Sequence, residues 1–364
     1  MGSTMTTRGT ARLTGWLILI LLSAGSAALL HRQHVPAAFM LGPMLAAVVM
    51  ALSGAGLRLH RNFSLGAQSV LGCLIAAFVT PSLLAVYLEH WFELTAINLA
   101  TMTVIVLVSV VIAQYRWLPD TTAIWGLFPG AASAMVLLAD THHSDPRVVA
   151  MMQYTRIVLV SVASISMAAL LGDTGKAAEA ASGPLRLAWA LPTDYHPTLA
   201  ALGLALCGYC TSKLTRIGAL ALLLPAFAGT ALQAAGIVVI DVPAYLFIPA
   251  FAMTGWYVGL TFTRSALRHC LSLLPIMLAA IAVIILVCGL FSLVLARLIP
   301  GTDLLTTYLA LSPGGIETIV IIARDASVFL PLILASQFLR LLMVLSLGPF
   351  VARAVAGWQQ RRQP

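Results

Sequence analysis

Two four-residue motifs carry the chemistry this sequence offers. Gln153 and Arg156 lie in the run 148–171, where Arg156 is the single charge among 24 residues. Gln337 and Arg340 repeat the spacing in a second apolar run, and the arginines, like the glutamines, are 184 residues apart. Three residues apart on a helix, Gln and Arg share a face. Arginine presents a planar fork that matches carboxylate or phosphate, and the amide adds a donor and an acceptor. One reading is that a Gln–Arg pair from each half grips an anionic group. The other is that each arginine snorkels, or caps carbonyls freed by a nearby break in a helix.

Such breaks lie just upstream. Pro129-Gly130 interrupts the apolar stretch 121–139, and Pro313-Gly314-Gly315 interrupts 303–323. Proline removes a helical hydrogen bond, and glycine beside it lets the chain reverse. A short helix restarting after each turn exposes unpartnered N–H groups with partial positive charge, an anion-binding end. Gly130, Ala131, Ala132 and Ser133 hold these positions in the first stretch, and Gly314, Gly315, Ile316 and Glu317 in the second. The alternative is a simple kink. Glu317 stands where the first stretch has Ser133. It reads as a helix-start carboxylate, a partner for Arg340 or Arg156, or a group that takes up a proton during transport. Asp140 is a second coupling candidate, although with His142, His143 and Asp145 it also reads as part of a solvated loop.

The histidine pair has no third ligand in register, so no metal site is expected. Five cysteines all fall in apolar segments, and the CGYC of Cys207 and Cys210 reads as small residues packing one helix face rather than as a redox motif. No cofactor is expected.

These motifs need a bilayer to position them. Of 364 residues, 60% are hydrophobic and 9% charged, against roughly 25% charged in soluble domains. Mean hydropathy is +0.99. The net charge of +8 fits cytoplasmic loops facing anionic lipid, and with no basic stripe interleaved with aromatics, nucleic acid is not expected. Twelve apolar elements are expected, at about 13–30, 35–54, 65–88, 94–115, 121–139, 147–171, 196–212, 217–236, 243–262, 271–297, 303–323 and 327–355. The first resembles a signal peptide but has a counterpart in the second half, and so reads as a membrane helix.

The halves match. Pro43 aligns with Pro225 and Gly54 with Gly236 at an offset of 182, Gly72 falls near Gly255, and FPGAAS aligns with SPGGIE at 184. Ordered matches at a near-constant offset predict an internal repeat. The domains expected are a first membrane repeat at 13–171, a linker at 172–195 and a second repeat at 196–355. If both broken elements are re-entrant hairpins, 13 of the 20 basic residues lie inside and 5 outside; if both span, the split is 11 to 7. The positive-inside rule favours hairpins. The expected fold is therefore an all-α polytopic membrane protein: two inverted repeats of five transmembrane helices plus one Pro-Gly-broken re-entrant hairpin each, about ten spans, alternatively twelve. Both termini are then cytoplasmic.

The chain resembles the AbrB family of bacterial membrane proteins in LGPMLAA, FPGAASAMVLLA, DPRVVAMMQYTRIVLV, SPGGIETIVIIA and QFLR, over residues 13–355. One departure is Ala76, where the second copy has Gly259; that copy also lacks a counterpart of Gln68. The resemblance implies two copies of one membrane domain in the bacterial inner membrane. Members carry labels as ammonia monooxygenases and as regulators. An oxygenase needs metal ligands, and the eight histidines are scattered; a DNA-binding regulator needs a soluble reading domain, and no segment provides one. Broken elements and a site where inverted repeats meet are features of many secondary transporters. Transport of a small organic anion, a carboxylate by preference, through alternating access and proton coupling is the expected function. A membrane-embedded sensor without transport is the alternative, and channels and membrane enzymes fit less well. The expected partners are a small anionic substrate and the lipid bilayer, with a homodimer drawn from analogy to other inverted-repeat carriers. On this expectation Arg340→Gln loses the substrate and keeps the fold.

Overall fold

A computed structural model of the chain describes residues 3–33, 38–79, 81–115, 117–118, 121–129, 132–141, 144–171, 195–314 and 328–361. The described residues form fourteen helices and no strand: α1 (Ser3–Arg32), α2 (Ala38–Leu52), α3 (Arg61–Ala77), α4 (Pro81–Glu89), α5 (Trp91–Gln114), α6 (Thr122–Leu127), α7 (Ala132–Thr141), α8 (Pro146–Leu171), α9 (His196–Thr215), α10 (Leu220–Ala234), α11 (Ala244–Gly259), α12 (Arg264–Leu298), α13 (Leu304–Leu311) and α14 (Leu330–Arg361).

Among these, Leu13–Arg32 of α1, α5, α8, α12 and Leu330–Val355 of α14 are long and apolar enough to cross a membrane. Their outward faces are apolar as well. Leu17 and Leu21 on α1, and Leu286 and Leu290 on α12, are each more than half exposed, a surface that suits lipid and not water. Other expected spans are shorter. Helices α2, α3, α10 and α11 have 15, 17, 15 and 16 residues, or about 22–26 Å at 1.5 Å per residue, against a hydrocarbon core of about 30 Å. The expected element 65–88 is two helices, because Pro81 opens a new one as a first-turn proline.

The paired glycines have physical reasons. Gly54 and Gly236 end α2 and α10 with φ of 82° and 70°, a left-handed turn that glycine adopts without steric cost. Each turn closes the same way: Ala55 N donates to Met50 O at 3.2 Å, and Ile237 N to Leu232 O at 3.0 Å. Gly72 and Gly255 instead permit close approach of helices. A Cβ on Gly72 would stand 2.5 Å from Leu222 O of α10, and one on Gly255 would stand 2.7 Å from Met40 O of α2.

The two halves of the sequence do not pack as separate bodies. Helices α1–α3 pack with α9–α11 in one group, and α4–α8 with α12–α14 in another. The groups meet chiefly where α8 passes α11. The expected linker lies largely outside the described residues, as do His142 and His143.

Candidate functional site

Helix α6 is six residues long and wholly buried, and it stops at Phe128 ahead of Pro129. A helix cut short leaves the carbonyls of its last turn without intrahelical donors. The first Gln–Arg motif supplies them from α8. Gln153 Nε2 donates to Trp125 O at 2.7 Å and to Phe128 O at 3.0 Å. Arg156 Nη1 donates to Phe128 O at 2.7 Å and Leu127 O at 3.3 Å, and its Nη2 donates to Gln153 Oε1 at 2.7 Å.

The second motif repeats this bond for bond. From α14, Gln337 Nε2 donates to Leu309 O at 2.8 Å and Ser312 O at 3.0 Å. Arg340 Nη1 donates to Leu311 O at 3.0 Å and Ser312 O at 2.9 Å, and Nη2 donates to Gln337 Oε1. Each accepting residue is 184 positions from its counterpart. The cation also sits at the partial negative end of a short helix, where it is favourable. Inserting an arginine at mid-membrane costs roughly 2.5–3.5 kcal/mol. Bonds from a charged donor contribute roughly 1.5–3 kcal/mol each, so two per guanidinium offset that cost. Arg340→Gln thus strips the buried Leu311 O of its donor and leaves Ser312 O with Gln337 alone, and the expectation that the variant keeps its fold intact is revised.

Capping does not use the whole guanidinium. Nε of Arg156 and of Arg340 is buried with no hydrogen-bond partner among the described residues. The two guanidiniums lie within electrostatic reach of one another, and Cys288 of α12 within reach of both. Among the described residues the ion pairs are Glu89–His90 and Asp145–Arg147, so neither buried arginine has a carboxylate in range there. Two buried cations without a counter-charge among the described residues form an arrangement that an anion would stabilise.

Of the other predicted residues, Gly314 is buried at the second break and Ala132 opens α7 half-buried. Gly130, Ala131, Gly315, Ile316 and Glu317 lie outside the described residues, as does the side chain of Ser133. Asp140 is exposed near the end of α7 and accepts from Tyr257 Oη of α11 at 3.1 Å. Cys207 and Cys210 point outward; the residue of that motif that packs is Gly208, where a Cβ would stand 2.5 Å from Pro225 Cγ.

Several polar contacts had only faint sequence signals. Asn98 is wholly buried on α5 and donates to Ser336 Oγ at 3.1 Å; a lone amide in an apolar run was its signal. Thr121 Oγ1 and Ser144 Oγ lie 2.6 Å apart. The stretch holding α6 and α7 thus begins and ends at one place. Phe329 N likewise donates to Thr306 Oγ1 at 3.0 Å, so the stretch beginning with α13 also returns to its start.

The family model described as "Transition state regulatory protein AbrB" matches residues 39–356. A protein of Escherichia coli named "Putative regulator AbrB" is 34% identical over 347 residues, covering 95% of this chain and 97% of the relative. "Uncharacterized protein YhjN" of Bacillus subtilis is 25% identical over 355 residues, covering 92% of this chain and 91% of its own length. With the match running through both Gln–Arg motifs and both breaks, the chain belongs to the AbrB family.

Proposed function

We propose that this chain is a secondary transporter of a small organic anion, a carboxylate by preference, working by alternating access in the bacterial inner membrane. In this reading the two halves are inverted repeats of five spans and one re-entrant hairpin each, with cytoplasmic termini. The observation that carries the reading is the pair of buried arginines, each with an unpartnered Nε and no carboxylate in range among the described residues. A fork whose Nη1 is fixed on carbonyls still offers its Nε edge to an oxyanion. The return of each broken stretch to its own start supports the hairpins. Half-helix ends at the two breaks would complete the anion's cradle, and Glu317 or Asp140 would carry the coupled proton.

Thermal stability of the purified protein against small carboxylates, sulfonates, phosphonates and acidic amino acids tests this. A ligand at 100 times its Kd adds roughly 2.7 kcal/mol. Any hit is followed by uptake into proteoliposomes under an imposed proton gradient. A stabilising anion that is also taken up supports the reading; no stabilising anion and no uptake overturns it.

A membrane-embedded sensor without transport is the second reading. Two observations favour it: the regulator name borne by the Escherichia coli relative, and the occupation of both Nη groups by the protein itself.

A further inference from the structure

The helices divide into two groups that ignore the midpoint of the sequence. Three from each half, α1–α3 and α9–α11, form one body, and the motif-bearing helices α8 and α14 lie in the other with both broken elements. Inside each body the contacts are close, as the approaches at Gly72 and Gly255 in the first and at Gly126 and Gly348 in the second illustrate. Between the bodies, among the described residues, they are sparse, and the polar ones are few. Tyr257 Oη of α11 donates to Asp140 Oδ2 of α7 at 3.1 Å, and Tyr154 Oη of α8 donates to Met40 Sδ of α2 at 2.9 Å. Arg147 Nη1 of α8 reaches Thr261 O, in the segment joining α11 to α12, at 3.5 Å.

The chain passes from one body to the other there, between α3 and α4, and between α8 and α9 through residues outside those described. The first two crossings are secured on the first body's side. Gln233 of α10 donates to Val79 O at 2.7 Å and accepts from Ile240 N at 2.8 Å, while Thr261 Oγ1 donates to Val258 O at 2.6 Å. Short connections anchored on one side and sparse contact beyond them describe a hinge.

We infer that the surface between these two bodies is where the protein moves, and that the Tyr257–Asp140 bond is a latch holding it closed at one end. The inference rests on the transport reading, which supplies the need for movement. It replaces a motion of one sequence half against the other with a motion of two bodies that each contain both halves. Both motifs and both breaks then travel together, so the arginines keep their bonds throughout the cycle.

The test needs no substrate. Cys207→Ser and Cys210→Ser remove the exposed thiols, and spin labels are placed at Ala55→Cys and His269→Cys, both exposed and one in each body. A control pair, Ala55→Cys and Lys213→Cys, lies within one body. Distance distributions in nanodiscs are compared for the parent and for Tyr257→Phe and Asp140→Asn. Loss of one such hydrogen bond shifts a two-state balance by roughly two- to tenfold. Both variants should raise the population of a second Ala55–His269 distance by about that factor, with the control pair unchanged. One unchanged distance in all three proteins, or movement within the control pair, overturns the inference. A moving boundary in a protein that takes up no anion would sink the transport reading and leave the hinge standing.

Discussion

Ser164 Oγ and Ser312 Oγ stand 3.3 Å apart across 148 residues of sequence. Ser164 is on α8 beyond Arg156, and Ser312 ends α13 and gives its carbonyl to Arg340. The helix bearing one Gln–Arg motif therefore rests on the broken element held by the other. The counterpart of this contact, 184 residues displaced for each partner, is Gly348 of α14 against Phe128. A Cβ on Gly348 would lie 3.3 Å from Trp125 Cζ3 and 3.5 Å from Phe128 Cε2. The two motifs thus support one another's targets reciprocally.

Packing outweighs the hydroxyl contact at these crossings. A separation of 3.3 Å is long for a hydroxyl pair, whose usual range ends near about 3.0 Å. Ser164→Ala should therefore cost well under about 1 kcal/mol. Gly348→Val drives methyl groups at the fully buried Trp125 and Phe128, and overpacking of this kind costs roughly 1–3 kcal/mol. Thermal melting in detergent should place Ser164→Ala beside the parent and Gly348→Val several degrees below it. The reverse order would mean that the serine pair, and not the close approach, sets the geometry.

The glutamines should prove equivalent. Each donates to two backbone carbonyls and accepts from its arginine. Gln153→Leu and Gln337→Leu each take the glutamine's donor from Trp125 O or Leu309 O and the acceptor from the arginine Nη2, while Phe128 O and Ser312 O keep their arginine, at roughly 1–3 kcal/mol per unsatisfied group. Both variants should lose stability by similar amounts, and the double variant should fold poorly. If one substitution is harmless and the other severe, the two motifs have different roles despite identical bonding.

The start of α8 carries a pH-dependent contribution. Burial pushes the Asp145 carboxyl up, but the Arg147 side chain, through Nε at 3.0 Å and Nη2 at 3.1 Å, and the Arg147 amide at 2.9 Å more than offset it. The net result lies below the ordinary value of 3.8. A carboxylate so depressed stabilises the fold fully above its unfolded pKa, and that contribution fades as pH falls through the lower folded value. Acidification through about pH 4 to pH 3 should narrow the gap in melting temperature between the parent and Asp145→Asn. A gap that widens on acidification would contradict the sign.

Much of this organisation was legible because its signals are local. Hydropathy runs located the long helices, although the helices at Ser3–Arg32 and Arg264–Leu298 begin well before the expected bounds, and Pro129 and Pro313 marked the breaks, since proline acts on its own turn. That Gln and Arg share a face followed from spacing alone. What the pair holds was not legible: backbone carbonyls carry no residue signature, so capping and anion binding read identically in the sequence. The split at Pro81 was missed because the apolar run resumes within two residues on either side, at Val79 and Leu83. The mixing of both halves into two bodies was invisible for another reason. It depends on contacts such as Gly72 with Leu222, and one chain gives no signal for pairings at that separation.

The course of the broken elements can be read from the two membrane faces. Thr121 meets Ser144, and Thr306 meets Phe329, so each stretch comes back to its beginning. If both lie in the bilayer as hairpins of inverted repeats, the flanks of one face the cytoplasm and the flanks of the other face outward. Trp117 and Asp140 flank the first, Pro300 and Phe329 flank the second, and all four are exposed. Single cysteines at these positions, with Cys207→Ser and Cys210→Ser as background, should react with an impermeant maleimide in matched pairs. The Trp117→Cys and Asp140→Cys proteins should label only in inside-out vesicles, and the Pro300→Cys and Phe329→Cys proteins only in right-side-out cells. Labelling of the two members of a pair from opposite faces would establish full spans. All four labelling from one face would remove the inversion between the halves, and with it the main structural argument for alternating access.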